Sequence, residues 1–201
     1  MLEIREALPR SFYNRATITV ARSLLGKVLR LGECSARIVE TEAYLDRYQG
    51  EIDAAAHSSR GRTARTQVIF GPPGHAYVYL SYGIHECLNV VAEPEGKPGC
   101  VLIRALEPVS GIGEMRRRRG TTMSDRNLAN GPGKLTQAMG ITRELYGADL
   151  VAGPLTIHEP IHKPDRAEPF RIGISPRIGI SQCVDWPLRF FIEGNPFVSR
   201  K

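Results

Sequence analysis

Val39-Glu40-Thr41-Glu42-Ala43-Tyr44, bounded by apolar Ile38 and Leu45, reads as a strand. Side chains alternate across a strand, so Glu40, Glu42 and Tyr44 share one face and Val39, Thr41 and Ala43 the other. Same-face neighbours stand ~6.6 Å apart, twice the rise per residue. Two acids and an aromatic make a poor core face. They suit a cleft in which an ionised carboxylate works beside a stacked ring. The plainer alternative is an edge strand whose solvated acids pair with arginines.

The chain has 201 residues, enough for a single domain with a proper core. Hydrophobic residues make up 42% and charged residues 24%, an ordinary globular balance. Lys and Arg number 27 against 21 Asp and Glu, a formal net charge of +6. With a sequence pI near 9.3 this favours an anionic partner, nucleic acid first. Cys34, Cys87, Cys100 and Cys183 are scattered with no C-x-x-C pair. That spacing argues against a zinc ribbon or disulfide framework and for a reducing compartment. Glu3, Arg5 and Glu6 stand near the start, and no long apolar run follows. Neither a signal peptide nor a membrane span is expected, and an intracellular location is.

Outward from the anchoring strand, Ser11 is placed to cap a helix carrying Phe12, Ala16, Val20, Leu24 and Leu25 at helical spacing, stopped by Gly26. Lys27 to Leu31 reads as a strand, Gly32-Glu33 as a turn, and Cys34 to Leu45 as the strand quoted above. Residues 46–76 are punctuated by Gly and Pro, carry His57, Arg60, Arg62 and Arg65, and read as a long functional loop. Ala76 to Gly83 and Ile84 to Ala92 read as a hairpin, with Tyr77 and Tyr79 on one face and Tyr82 near the tip. Cys100 to Leu106 is a further apolar strand interrupted by one charge, Arg104. Glu114 to Arg119 reads as a short helix whose run Arg116–Arg119 is a solvated face or a phosphate contact.

Ser124 to Ala129 reads as another helical turn. Asn130-Gly131-Pro132-Gly133 leads into a helix over Lys134 to Met139, a plausible phosphate site without full P-loop spacing. The doubled phrase Arg171–Ser175 and Arg177–Ser181 reads as two strand pieces around Pro176, and Trp186 to Ile192 as the last strand. His158-Glu159-Pro160-Ile161-His162 matches H-E-x-x-H, a zinc pattern that works only on a helix. Pro160 forbids one, so no metal is expected.

A carboxylate beside an aromatic, a loop histidine, further tyrosines and a basic surface leave carboxylate-activated water as the economical chemistry. Two substrates fit. One is a nucleotide flipped from DNA and held between aromatics. The other is a sugar flanked by Glu40 and Glu42 as an acid pair, at the lower end of the inverting-glycosidase spacing. The sugar enzyme has no need of the arginines or of the hairpin-tip tyrosine.

From about Ala21 to Val198 the chain resembles the alkyladenine (3-methyladenine) DNA glycosylase family, typified by the mammalian N-methylpurine enzyme. The phrases RIVETEAYL, DAAAHSSRGRTAR, YVYLSYG, CLNVV, CVLIRALEP, GPGKLTQAMGI and PLRFFIEGNPFVS carry the resemblance. It implies an α+β single domain over residues 1–201, with a curved, partly open antiparallel sheet flanked by helices and a protruding hairpin. It implies a monomer that binds the minor groove of double-stranded DNA, flips a nucleotide and hydrolyses its N-glycosidic bond without a cofactor. The second glutamate of V-E-T-E-A-Y, Glu42, matches the general base, which leaves Glu40 a supporting role. Arg104 matches the arginine that helps hold the nucleophilic water. Tyr44, His57 and Tyr79 match the residues that sandwich the base, Asn89 the side chain that crowds normal guanine, and Tyr82 the wedge. Thr63, Arg65 and Lys134 are expected to contact the DNA backbone.

Strand parity agrees for Glu42 and Tyr44, and an aromatic pocket attracts a cationic alkylated purine. No lysine nucleophile is indicated, so a monofunctional enzyme leaving an abasic site is expected, acting on 3-methyladenine, 7-methylguanine or hypoxanthine. The chain departs from the family in a longer Tyr44–His57 connection. It also has Arg65-Thr66-Gln67-Val68-Ile69-Phe70 where R-N-x-x-M-F is common, and Ile84 in place of a common methionine. A non-catalytic protein wedging DNA with Tyr82 is the competing class, and it needs neither Glu42 nor Arg104.

Overall fold

The computed structural model describes residues 6–120, 122, 124–160 and 170–199. Two short helices open the described chain, α1 (Arg10–Tyr13) and α2 (Thr17–Leu24). The single helix expected from Ser11 is therefore broken, and Ser11 lies inside α1 and caps nothing. The cap position of α2 holds Ala16, which has no acceptor side chain. The Glu93 carboxylate supplies the acceptor instead, taking bonds from the Thr17 N–H and hydroxyl at 2.8 and 3.0 Å. An anion there satisfies otherwise orphaned donors. Gly26 ends the helical segment at φ +83°, as its position predicted.

The strands follow as β1 (Val28–Leu31), β2 (Cys34–Tyr44), β3 (Arg47–Tyr48), β4 (Glu51–Ile52), β5 (Ala76–Ser81), β6 (His85–Val91) and β7 (Cys100–Ser110). Then come α3 (Ile112–Arg119), α4 (Asp125–Leu128), α5 (Pro132–Met139), β8 (Leu155–His158), β9 (Ile172–Ser175) and β10 (Arg189–Ile192). The main sheet runs β5-β6-β7-β2-β1-β8 with every pair antiparallel. It branches at β2. The first half of β2 pairs with β1 (Arg37 with Val28), and the second half pairs with β10 (Glu40 with Phe191, Glu42 with Arg189). β9 extends the branch. The anchoring strand is therefore central, not an edge, and Glu40 and Glu42 are fully buried, not solvated.

Curvature has an identifiable source. Along β2 and β7, Ile38 faces Leu106, Glu40 faces Ala105 and Thr41 faces Ile103, which leaves Val39 and Arg104 without partners in the register. Such bulges bend a strand and re-aim a side chain. Beneath β2, the Thr41 hydroxyl donates to the Ala21 carbonyl, and Val20, Ala21 and Leu24 of α2 are fully buried. Full burial of each large aliphatic, such as Leu24, Ile38 or Leu106, stabilises the fold by ~1.5–3 kcal/mol.

Several expectations need correction. Residues 46–76 are not all loop. They contain the β3–β4 hairpin and two 3-10 turns, His57–Arg60 and Gln67–Phe70. Tyr48 of that hairpin packs on Trp186 at 5.2 Å between centroids, so partners distant in sequence order the segment. Of the doubled phrase only the first copy, β9, is a strand. The second has no strand in it, because its backbone turns over the site described below. The arginine run knits helices together: Arg116 pairs with Asp125, Arg117 and Arg118 with Glu114, and Arg119 donates to the Leu128 carbonyl. His158 ends a strand, not a helix, and Glu159 pairs with Lys27 at 2.7 Å. His162 of that motif lies outside the described residues, as do Glu3 and Arg5.

Candidate active site

Glu42 sits at the centre of a buried polar cluster. Its Oε1 accepts the Ile178 N–H at 2.7 Å and lies 3.3 Å from Arg104 Nη1, and its Oε2 accepts the Tyr44 hydroxyl at 3.0 Å. Parity along β2 brings Tyr44 to the same side, and the β7 bulge brings Arg104 there. Burial pushes the Glu42 carboxyl above the usual carboxylate range. Arg104, the Ile178 N–H and the Tyr44 hydroxyl oppose that shift without cancelling it. Arg104 is held protonated: burial works against its charge, but Glu42 and Glu40 outweigh it.

Glu40 is differently employed. It accepts from Arg104 Nε at 3.1 Å, Arg189 Nε at 2.7 Å, and the Ser199 N–H and hydroxyl at 2.7 and 2.9 Å. A carboxylate so committed, fully buried, ties β2, β7, β10 and the C-terminal segment together. It is no second arm of an acid pair across a substrate, which removes the observation behind a sugar hydrolase.

In front of this cluster lies a cavity of about 810 Å³, within the ~300–1,000 Å³ range of small-molecule sites. Tyr44, His57, Tyr79, Asn89, Arg104, Arg65 and Tyr82 all line it, from five separate segments of chain. Glu42 stands directly behind Tyr44, Arg104 and Ile178 and is not itself part of the lining. His57 Nδ1 bonds the Tyr77 hydroxyl at 2.9 Å, and its ring meets Tyr79 edge-on at 4.6 Å. Burial lowers the His57 pKa to about 4, reinforced by Arg65 and Arg60, so this ring is neutral at physiological pH. Burial likewise holds the Tyr44 and Tyr79 phenols protonated well past their ordinary range. Asn89 donates to the Tyr77 carbonyl at 3.2 Å and is buried. The aromatic side chains of the wall are thus uncharged, and the charged groups that share the lining are the arginines Arg60, Arg65 and Arg104.

Tyr82 occupies the tip of the β5–β6 hairpin and is 88% exposed. Its φ of +50° and the +70° of Gly83 match what a primed hairpin turn demands, and the Ile84 N–H closes the turn on the Ser81 carbonyl at 3.0 Å. A non-glycine residue in the left-handed region is strained, which is notable at a tip holding an exposed aromatic. Thr63 and Lys134 do not line the cavity. Thr63 closes a turn with Thr66 at 2.9 Å, and Lys134, exposed at the start of α5, donates to Asn130 at 2.9 Å. Arg65 is exposed and stacks on Tyr79, 5.0 Å from its centroid.

Reading the sequence alone missed three participants. The Ile178 N–H is a backbone group hidden in a phrase that reads as strand. Asp53 and Arg177 form a buried two-point ion pair at 2.7 and 2.8 Å behind Tyr44. The only available signal was Asp53 standing four residues before His57.

Comparison with known proteins completes the assignment. A branched antiparallel sheet, a protruding tip aromatic and an aromatic cavity backed by the Glu42 carboxylate fit an enzyme that holds a flat ring and acts beside it with a carboxylate. The model of the methylpurine-DNA glycosylase family matches residues 11–196, and the chain belongs to that family. It is similar to a protein of Methanoculleus marisnigri, 51% identical over 197 residues, with 96% of this chain and 99% of the relative covered. A Chlorobaculum parvum relative is 46% identical over 96% of this chain and 90% of its own length, and a Rhodopseudomonas palustris relative 48% identical over 96% and 88%. All three carry the provisional name 3-methyladenine DNA glycosylase. The chain is therefore a DNA glycosylase, an enzyme of base excision repair, with DNA as its partner. No helix among the described residues is long and apolar enough to cross a membrane.

Proposed function

We propose that the chain is a monofunctional glycosylase acting on alkylated or deaminated purines, namely 3-methyladenine, 7-methylguanine and hypoxanthine, flipped out of duplex DNA from the minor groove by an intracellular monomer. The observation that carries the reading is the Glu42–Tyr44–Arg104 cluster at the back of the aromatic cavity. Glu42, once ionised, takes a proton from a water as it attacks the sugar carbon. Its charge also stabilises the sugar as that carbon turns cationic and the C–N bond breaks. Arg104 positions the water and keeps Glu42 oriented. The purine leaves with the bonding electrons, already cationic if alkylated at N3 or N7.

Tyr44, His57 and Tyr79 hold the flipped base. Their rings attract a cationic purine, and a neutral His57 adds no repulsion to it. Asn89 stands where an exocyclic amine of normal guanine would crowd. Tyr82 enters the gap left in the stack, and Thr63, Arg65 and Lys134 hold phosphates. No lysine lines the cavity among the described residues, which fits water as the nucleophile and an abasic product. The test is a gel assay on duplexes carrying one hypoxanthine or one 7-methylguanine, followed by alkaline cleavage. Strand scission only after alkali is expected. Scission without alkali contradicts the monofunctional mechanism, and none with it contradicts the substrate assignment.

A further inference from the structure

Asp53 and Arg177 touch no part of the cavity, yet they stand against its back wall. Both side chains are completely buried. The Arg177 guanidinium carbon lies 4.7 Å from the Tyr44 ring centroid and 5.9 Å from that of Trp186. Its Nη1 also donates to the Ala43 carbonyl at 3.1 Å, and its Nε has no partner among the described residues. Asp53 accepts the Leu45 and Ala55 N–H groups in addition to its two bonds from Arg177. One buried pair thus braces the end of β2, the segment leading to His57, and the turn whose Ile178 N–H holds Glu42.

With Glu42 ionised, the buried charges around Tyr44 balance: Glu40, Glu42 and Asp53 stand against Arg104, Arg177 and Arg189, while the exposed Arg60 and Arg65 of the lining are the same in every variant compared below. Arg177 occupies one face of Tyr44, where an aromatic ring is negative. A base stacked on the other face brings its own charge roughly 9–12 Å from the guanidinium, given ordinary ring spacings. Between buried charges that distance is little screened by salt. We infer that Asp53 sets the charge preference of the base cavity, by neutralising Arg177 behind Tyr44 so that the ring accepts a cationic purine as readily as a neutral one. Asp53 and Arg177 are positioning residues that act through Tyr44. The inference rests on the base-stacking role proposed above for that ring.

The experiment compares single-turnover efficiency on duplexes carrying cationic 7-methylguanine and neutral hypoxanthine, at one pH and ionic strength. Asp53→Asn leaves Arg177 uncompensated, and its efficiency should fall about tenfold further on 7-methylguanine than on hypoxanthine, equivalent to about 1.4 kcal/mol. Arg177→Gln leaves Asp53 uncompensated and should move the ratio the opposite way. The double variant should return the ratio to that of the wild type. A merely structural role lowers both substrates alike, so singles that leave the ratio unmoved, or shift it in the same direction, overturn the inference. Circular dichroism identifies a variant that does not fold. Should Asp53→Asn be one, the sign in Arg177→Gln decides alone. A wild-type chain that removes neither base overturns the function proposed above and this inference with it.

Discussion

Glu42 is in an unusual position for a base, with both oxygens engaged and no direct exposure. Its raised pKa places its proton loss above the ordinary carboxylate range. A base works only when ionised, so activity should rise with pH through that raised value and be lost below it. Tyr44→Phe removes a hydrogen bond that favours the charged form. The acid limb of the single-turnover rate profile should therefore move to still higher pH, and an unmoved limb shows that the hydroxyl does not tune Glu42. Because His57 is already neutral, with a pKa of about 4, no second step near the usual imidazole value is expected in either profile. Glu42→Gln nearly preserves size but cannot take a proton. Excision should fall ~10²–10⁴-fold, while gel-shift affinity for the same hypoxanthine duplex stays within about tenfold. A variant excising at the wild-type rate removes Glu42 from the mechanism.

At the level of elements, the hairpin and the branched strand carry different loads. Tyr82 is exposed, so Tyr82→Ala should leave the melting temperature nearly unchanged. It should slow excision of a stably paired lesion more than of a mismatched one, since the wedge offsets an unstacking cost of a few kcal/mol. Equal slowing in both contexts argues against a wedge. Glu40 behaves oppositely. Glu40→Ala removes the buried carboxylate that Arg104, Arg189 and the Ser199 N–H share, and a loss of roughly 3–5 kcal/mol in urea unfolding is expected. A loss under about 1 kcal/mol would mean water replaces the carboxylate there.

For the molecule as a whole, the +6 net charge and the exposed Arg60, Arg62, Arg65 and Lys134 predict duplex affinity that falls steeply with salt, as phosphate neutralisation releases counterions. Affinity unchanged between low and moderate salt removes the electrostatic term. The arginine run Arg116–Arg119 should contribute little to that slope, because each of its members is already bonded within the helical layer. Replacing Arg65 should lower the slope more than replacing Arg117.

The sequence by itself determined the strand parity that sets Glu42 beside Tyr44, the hairpin that projects Tyr82 and the stop at Gly26. Each of these is local: a two-residue period, a turn with its glycine, a glycine after the last helical turn. Only the tertiary structure decided that β2 is central and its acids buried, because a strand's neighbours are chosen by pairing across long separations. It also decided that Glu93 caps α2 and that Arg104 is swung onto Glu40 and Glu42 by a bulge. The same holds for Arg177-Ile178, which reads as strand but turns over the site. Its alternating pattern is indifferent between pairing in a sheet and donating to a carboxylate 136 residues away, and the buried charges of Glu42 and Asp53 settled the choice.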